Sequence, residues 1–253
     1  MDRESVLTDE RRRSGTGRAR ERLRAERERE QRSVRRLRTL KMAGAVVLVL
    51  GVAALIAVGV SAAGGEEDAS ARARPVGTGS AAAPVTMTVY EDFRCPGCKA
   101  FEDGFRETVN ELREAGDLRV EYHLVTLIDG NLAGEGSRRA AEAALCAADA
   151  GKFVEYHDLL YRNQPPEQKD AFADRGYLLR LAGRVDGLST DAFETCVRDG
   201  VKGERVERSQ QAFLETGYNQ TPTVLVDGER AFDDPADPLT PDKLRQLVAR
   251  KAA

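Results

Sequence analysis

Residues 85–101 have the sequence VTMTVYEDFRCPGCKAF, in which the pattern of a strand leads into a pair of cysteines. The first six of these residues alternate between apolar side chains and hydroxyl or aromatic ones, which is typical of a half-buried strand. Beyond Cys98, apolar residues recur at steps of three and four with charged residues between them, which predicts an amphipathic helix. The sequence therefore predicts that Cys95 and Cys98 lie at a strand-to-helix junction.

The position of the first cysteine has a chemical consequence. The first turn of a helix presents unpaired backbone N–H groups and the positive end of the helix dipole, and both stabilise an anion. We therefore expect the pKa of Cys95 to lie below the usual value of about 8.5, which favours the thiolate that attacks disulfides. Cys98, one turn further on, is close enough to attack a mixed disulfide on Cys95. Pro96 suits the start of a helix, and Gly97 leaves room for a substrate chain.

A pair of cysteines at this spacing also occurs in zinc and copper sites, so a metal carrier remains an alternative. A four-ligand site needs further cysteines or histidines at similar spacing. The histidines of the chain are His123 and His157, and neither lies in a paired motif. We therefore favour a redox pair and predict no metal site, and we expect His123 to be packed in a strand rather than catalytic.

The N-terminal part of the chain is strongly basic although the net charge is −3. Residues 1–41 hold 15 Lys and Arg against 8 Asp and Glu, and we expect them to be disordered or helical, touching lipid head groups rather than nucleic acid. Residues 42–63 carry no charge and are long enough to span a hydrocarbon core of about 30 Å. The positive-inside rule then places the N-terminus in the cytoplasm and the C-terminal bulk outside the cell membrane. A cleaved signal peptide is the alternative, but the apolar run is longer than its typical core.

The composition predicts four segments: the basic segment 1–41, a transmembrane helix 42–63, a flexible linker 64–84 and one folded domain 85–253. Within the domain, residues 118–127 form a second predicted strand, and residues 134–217 form a helical insert. The helices predicted in that insert are Ser137–Ala150, Phe153–Asn163, Ala171–Leu181, Asp191–Asp199 and Val201–Thr216.

The other two cysteines, Cys146 and Cys196, both fall on predicted helices of the insert beside apolar neighbours. They are either two buried small side chains or a structural disulfide between the helices. All four cysteines lie on the outer side of the predicted membrane span, where disulfides persist, so we favour the bond.

Strand character returns at residues 221–226, where Pro222 leads directly into a β-branched run. Asp227–Gly228 predicts a tight turn, and the return strand is expected to begin at Ala231–Phe232. The last predicted helix starts with Thr240 as N-cap and Pro241 in its first position.

This order of elements resembles the DsbA-like branch of the thioredoxin superfamily, in its membrane-anchored form from high-GC Gram-positive bacteria. The resemblance covers Val85 to the C-terminus. The motifs that carry it are DFRCPGC at 92–98, YHDLLY at 156–161 followed by Asn163–Gln164, and Gly217 through Val226 with Thr221-Pro222-Thr223. It implies an α/β thioredoxin-like fold with a helical insert.

The resemblance also implies roles for the site residues. Cys95 is then the exposed nucleophile, Cys98 the resolving cysteine, and Pro222 a cis-proline that faces them. A cis Thr221–Pro222 bond would turn the Thr221 backbone outward to pair with an extended substrate. Many relatives carry a buried acid six positions before the first cysteine. Val89 stands there in this chain, with Glu91 on its face of the strand and Asp92 on the other.

The expected function is a membrane-tethered thiol–disulfide oxidoreductase that introduces disulfides into exported, unfolded proteins with free cysteines. We expect it to need no cofactor of its own and to be reoxidised by a quinone-linked membrane protein of the DsbB or VKOR type. A reductase or isomerase, a copper or zinc carrier, and a purely structural or holdase role are the alternatives. They differ in redox potential, in bound metal and in the need for Cys95.

Overall fold

The computed structural model of the chain describes residues 74–231 and 238–252. Its strands are β1 (Val76–Thr78), β2 (Val85–Glu91), β3 (Leu118–Leu124), β4 (Thr223–Val226) and β5 (Glu229–Arg230). Its helices are α1 (Pro96–Glu114), α2 (Leu127–Leu132), α3 (Gly136–Asp149), α4 (Phe153–Arg162), α5 (Arg175–Ala182), α6 (Asp191–Asp199), α7 (Gly203–Glu215) and α8 (Pro241–Ala252). A short 3₁₀ turn, Ala171–Ala173, precedes α5.

The strands form one sheet in the order β1-β3-β2-β4-β5. The central pair, β2 and β3, is parallel, and α1 makes the crossover between them. The remaining pairs are antiparallel. On β2 every second residue from Val85 is buried, and the pattern on β3 is the same. Period-two alternation therefore sets which face of each central strand meets the core.

Helices cover both faces of the sheet. One face, which carries Val89 and Glu91, packs against α1, and α8 packs beside α1 through its buried Leu244 and Val248. The other face carries Tyr90, whose ring lies 5.4 Å from that of Phe213 on α7. The carboxyl end of β2 and the start of α1 thus meet at one edge of a three-layer core.

Helices α2 to α7 form the insert between β3 and β4. At its centre lies α3, whose small buried alanines let α4, α6 and α7 approach it closely. A disulfide joins Cys146 of α3 to Cys196 of α6, with a Cα–Cα distance of 6.0 Å. The insert is therefore a packed helical lobe whose apolar side chains continue the core of the sheet.

Several sequence-based boundaries are corrected by the structure. Strand β1 lies inside residues 64–84, so the linker prediction is wrong for Val76–Thr78, which pair with β3 and bury Val76. Strand β3 ends at Leu124 rather than at residue 127. The helix predicted at Ala171–Leu181 is divided, because the Asp174 side chain accepts a hydrogen bond from Gly176 N–H and caps a new helix there.

The return strand begins earlier than predicted. Asp227 and Gly228 both have positive φ values, 51° and 82°, which is the backbone of a two-residue hairpin turn. Strand β5 therefore starts at Glu229 and not at Ala231. Phe232, the second residue of the predicted start, lies outside the described residues.

Among residues 74–231 and 238–252, no helix combines the length and apolar character needed to cross a bilayer. The predicted basic segment and the predicted span at residues 42–63 lie outside the described residues.

Candidate active site

Cys95 and Cys98 occupy the junction between β2 and α1. Cys95 is the N-cap of α1 and Pro96 its first residue. Cys95 is 7% exposed, whereas Cys98 is completely buried. Pro96 and Gly97, between them, are exposed. A substrate approaching from solvent therefore meets the sulfur of Cys95 and not that of Cys98.

The loop before β4 faces the two cysteines. The Thr221–Pro222 peptide bond is cis, and the Cys95 thiol donates a hydrogen bond to the Thr221 carbonyl oxygen at 3.2 Å. A Cβ atom added at Gly97 would lie 3.3 Å from Pro222 Cδ and 3.6 Å from Cys95 Sγ. The structure thus brings Cys95, Gly97, Thr221 and Pro222 together at one spot, although 126 residues separate Cys95 from Thr221.

The pKa values of the two thiols are shifted in opposite directions. A hydrogen bond from Cys98 is the largest of the effects that lower the pKa of Cys95 to about 6, and the Thr221 side chain and the N–H groups of Gly97 and Cys98 add to it. Burial, followed by the hydrogen bond to Cys95, raises the pKa of Cys98 well above its usual value. At neutral pH Cys95 is therefore a thiolate and Cys98 a thiol.

Asp92 ties the CxxC segment to the start of the insert. Its carboxylate accepts hydrogen bonds from Arg94 N–H and Ile128 N–H, both at 2.8 Å. Its backbone N–H points at Cys98 Sγ, 3.5 Å away. Burial raises the pKa of Asp92 to about 7. This residue therefore positions the loop between β2 and α1 against α2.

Two further side chains hold the same loop from the insert side. The Gln164 amide donates to the carbonyl oxygens of Phe93 and Cys95, both at 2.9 Å. The guanidinium of Arg94 is 2% exposed and pairs with Asp129 at 2.6 Å and Asp170 at 3.2 Å. The helical lobe thus fixes the backbone on which Cys95 sits.

A buried cluster of ionisable groups lies behind Cys98. It consists of Glu91 at the end of β2, Glu102 one turn after Cys98 on α1, and His157 on α4. His157 Nε2 lies 2.8 Å from Glu91 Oε1. The negative charge of Glu91 contributes to the raised pKa of Cys98. Although Val89 fills the position of the acid of many relatives, Glu91 thus places a carboxylate near the resolving thiol from two residues further along the strand.

Glu102, His157, Gln164 and Arg94 were not given roles from the sequence. Glu102 could have been found, because it falls on the apolar face of α1 between Phe101 and Phe105, where an acid is unusual. The partners of His157, Gln164 and Arg94 lie in distant parts of the chain, and no local sequence pattern predicts these contacts.

The remaining predicted residues lie elsewhere. Cys146 and Cys196 form their disulfide inside the helical lobe. The ring of His123 stacks on Tyr90 at 4.5 Å, on the face of the sheet opposite Glu91. Burial lowers the pKa of His123. It is a packed aromatic side chain.

A family model described as "Thioredoxin" matches residues 72–250, more than two-thirds of the chain. The chain belongs to the thioredoxin family. The predicted thioredoxin-like α/β fold with a helical insert is thereby confirmed, and the match begins before β1, in agreement with the corrected domain start.

Solved and curated relatives narrow the branch of this thioredoxin-family domain. The oxidised DsbA of Mycobacterium tuberculosis is 28% identical and superimposes with a TM-score of 0.61, over 71% of this chain and 93% of that one. "Disulfide bond formation protein D" of Bacillus subtilis is 25% identical over 57% of this chain and 64% of its own length. A "Na(+)/H(+) antiporter NhaA 3" of Salinispora tropica is 35% identical over 58% of this chain but only 21% of its own length.

The chain thus spans less than two-thirds of the curated relatives, and these likenesses concern one domain. For that domain the resemblance to DsbA-like thiol–disulfide oxidoreductases is confirmed.

Proposed function

We propose that this protein is a membrane-tethered disulfide oxidase that acts on exported proteins. The observation that carries the proposal is the contrast between the two thiols: an acidic, slightly exposed Cys95 beside the Thr221 carbonyl, and a completely buried Cys98 that keeps its proton. Stabilising the Cys95 thiolate stabilises the reduced enzyme, and its disulfide becomes a stronger oxidant in consequence.

The reaction follows from this geometry. A substrate thiolate attacks Cys95 of the Cys95–Cys98 disulfide, and the sulfur of Cys98 leaves and takes up a proton. A second substrate thiolate then attacks the substrate sulfur of the mixed disulfide, so that the substrate leaves oxidised and Cys95 leaves as a thiolate. Two electrons pass from the substrate to the enzyme. Of the two substrate protons, one ends on Cys98 and one in solvent, because Cys95 stays ionised at neutral pH.

The backbone beside Cys95 suits an unfolded substrate. The carbonyl oxygen of Thr221 lies 3.2 Å from Cys95 Sγ and precedes β4, so an extended peptide can add its own backbone hydrogen bonds there. Recognition through backbone atoms accepts many sequences, as a general oxidase of exported proteins requires.

A redox titration against glutathione tests the direction of electron flow. We expect a potential near that of DsbA, about −120 mV, and not near that of thioredoxin, about −270 mV. A potential as low as the second value would assign the protein to the reductases. Cys95→Ser is the matched control, since it removes the exchange altogether.

Two observations support the proposed membrane tether: the sequence of residues 42–63 and the similarity to part of a membrane transporter. Residues 42–63 have the length and composition of a membrane span, with basic residues before it and acidic ones after it. The similar domain in the Salinispora tropica antiporter forms part of a membrane transporter. On this proposal the domain faces outward. In intact cells a membrane-impermeant maleimide should then label reduced Cys95, and deletion of residues 42–63 should release the protein from the membrane fraction.

Each turnover leaves two electrons on Cys95 and Cys98, and we propose that a quinone-linked membrane protein of the DsbB or VKOR type removes them. Substrates and this partner are both expected as mixed disulfides on Cys95 in a Cys98→Ala variant. The double variant Cys95→Ala/Cys98→Ala should capture neither. If the single variant captures no protein in cells, the assignment of exported substrates fails.

A further inference from the structure

A continuous row of ionisable side chains leads from the neighbourhood of Cys98 to the surface. His157 Nε2 lies 2.8 Å from Glu91 Oε1, and His157 Nδ1 lies 3.2 Å from Asp158 Oδ1. The side chains of Glu91 and His157 are each 1% exposed, whereas that of Asp158 is 11% exposed. One imidazole therefore joins a carboxylate beside the resolving cysteine to a carboxylate that reaches solvent.

The outer end of this row opens into a groove. Asp158 and residues from the C-terminal half of α1 line this groove, which has a volume of about 760 Å³. The second oxygen of Asp158 lies 3.1 Å from Arg106 and 3.4 Å from Arg162. Burial raises the pKa of Asp158, but the hydrogen bond and charge of His157, together with the two arginines, lower it below its usual value. Asp158 is thus an anion in contact with both water and His157.

Cys98, at the buried end of this row, needs a path by which protons reach it. Cys98 is completely buried, and it must gain a proton when it leaves the enzyme disulfide and lose one when it attacks a partner's disulfide. The second oxygen of Glu91 and the hydroxyl of Tyr161 are buried without a hydrogen-bond partner among the described residues. The charge of Glu91 raises the pKa of Cys98, and the charge of Cys98 raises the pKa of Tyr161. A carboxylate and a phenol therefore lie within electrostatic range of the buried thiol.

We propose that Glu91, His157 and Asp158 form a proton relay that joins Cys98 to solvent at the groove between α1 and α4. The proposal rests on the proposed thiol–disulfide exchange and adds the path of its proton. As Cys98 leaves the disulfide, the proton on His157 Nε2 passes to it through the Glu91 carboxylate, which leaves the imidazole neutral with its other proton on Nδ1. The imidazole then regains its second proton from water at the Asp158 end of the row. One proton enters per thiol formed, and the path runs backwards when Cys98 becomes the attacking thiolate.

The surroundings of His157 keep it charged and oriented. The groups that face it are Glu91 from β2, Glu102 and Arg106 from α1, Tyr122 from β3, and Asp158 and Tyr161 from its own helix. Burial lowers the pKa of His157, but the charges of Glu91 and Glu102 and the hydrogen bond to Asp158 raise it to about 10. Burial raises the pKa of Glu102 to about 8. With the imidazole protonated on both nitrogens, either can release a proton.

Two other readings of the cluster make different predictions. A static buried ion pair would contribute only to stability or to the potential. A metal site is the second, because donor atoms of Glu91, Glu102 and His157 lie within 4.8 Å of one another. Only a relay makes the rate of the Cys98 step depend on Asp158 and on external proton carriers.

The test isolates the Cys98 step. Cys95 of the full-length protein is first converted to its mixed disulfide with glutathione, and release of glutathione by Cys98 is followed between pH 5 and 9. Since positioned acid–base groups contribute about 10²- to 10⁴-fold, we expect Asp158→Asn and His157→Gln each to slow this release at least about tenfold at pH 7. Added imidazole should restore part of the loss in Asp158→Asn, because it delivers protons at the groove, where the carboxylate of Asp158 has been lost.

The matched control is Glu155→Gln, which removes a more exposed acid of α4 lining the same groove. It should leave the release of glutathione unchanged, and all variants should keep the pH dependence of Cys95 alkylation. The relay is overturned if folded Asp158→Asn and His157→Gln release glutathione at the wild-type rate, if imidazole gives no rescue, or if the protein contains stoichiometric zinc whose removal abolishes the step. If instead wild-type Cys95 forms no mixed disulfide at all, the proposed function itself fails.

Discussion

The acidity of a single sulfur makes the reduced protein sensitive to pH. The pKa of Cys95 is about 6 in the folded protein but about 8.5 in an unfolded chain. Between these values the unfolded state binds more protons, so the free energy of unfolding of the reduced protein rises with pH. The stabilisation is complete above about 8.5 and is lost as the pH falls through about 6.

Denaturant unfolding of the reduced and oxidised forms at several pH values measures this effect. The oxidised form has no free thiol at position 95, so the difference between the two free energies isolates the thiol contribution from other titrating groups. It should grow in favour of the reduced form from pH 6 to 8.5. In Cys95→Ser the reduced protein should lose this slope. A constant difference across the series would contradict the acidity of Cys95.

Gly97 controls access to the same sulfur. A Cβ at this position would lie 3.3 to 3.6 Å from Pro222, Thr221 and Cys95, in the gap that a substrate backbone has to enter. We expect Gly97→Val to slow disulfide transfer to an unfolded protein much more than exchange with glutathione, which is smaller. Both rates are measured on one preparation. An equal reduction of the two rates would indicate a change at Cys95 rather than a narrower entrance.

The sequence pointed to the residues that lie in a recognisable local motif, and it gave no role to those whose partners are brought close only by the fold. Cys95 and Cys98 have a local signature, and the cis bond at Pro222 was expected from the family resemblance. His157 and Gln164 were noticed only as parts of a motif. Their partners, Glu91 and the carbonyl of Cys95, lie more than 60 residues away, and hydrophobic periodicity carries no information on such pairings.

At the scale of elements, the loop between β2 and α1 depends on the insert for its shape. Arg94 supplies the main link, because its buried guanidinium pairs with Asp129 and Asp170 and donates to the Glu167 carbonyl at 3.0 Å. Asp129 in turn accepts N–H groups from the first turn of α3. One cation therefore joins the CxxC loop to three segments of the insert.

Arg94→Met leaves these carboxylates without their counterion, and breaking a buried pair costs about 3–5 kcal/mol. We expect the free energy of unfolding of the oxidised protein to fall by that amount in urea. The matched control is Arg180→Met, whose pair with Asp174 is largely exposed and should matter by about 1 kcal/mol or less. Similar losses in the two variants would mean that Arg94 is not an organising contact.

The elements themselves were largely predictable, and their ends were predictable only where a cap residue marks them. Helix α6 has the predicted bounds Asp191–Asp199, because Thr190 caps it and Gly200 ends it with a positive φ of 64°. Strand β1 was missed because Val76–Thr78 is too short to show a period. It exists only through its pairing with β3. Long periodic segments carry their own signal, whereas an edge strand depends on its neighbour.

For the whole molecule, the thioredoxin-like core carries the redox pair and the helical lobe carries a second pair of cysteines. The Cys146–Cys196 bond joins α3 to α6, and its two cysteines are 50 residues apart in the chain. Cys95, by contrast, contacts the loop before β4. The two disulfides should therefore be separable in their effects, one on stability and the other on electron transfer.

Replacing both lobe cysteines by alanine tests this separation. Closing a loop of this length stabilises the folded state by about 4 kcal/mol in the loop-entropy model, so the double variant should lose about that much free energy of unfolding. Its Cys95 alkylation should keep the wild-type pH dependence, because the groups that lower the pKa of Cys95 are untouched. Unfolding in urea and alkylation between pH 4 and 9, both on the purified protein, provide the two measurements. A wild-type stability would contradict a structural role for the bond, and a shifted Cys95 pKa would show that the lobe disulfide acts on the redox pair through α3 and the segments that hold Arg94.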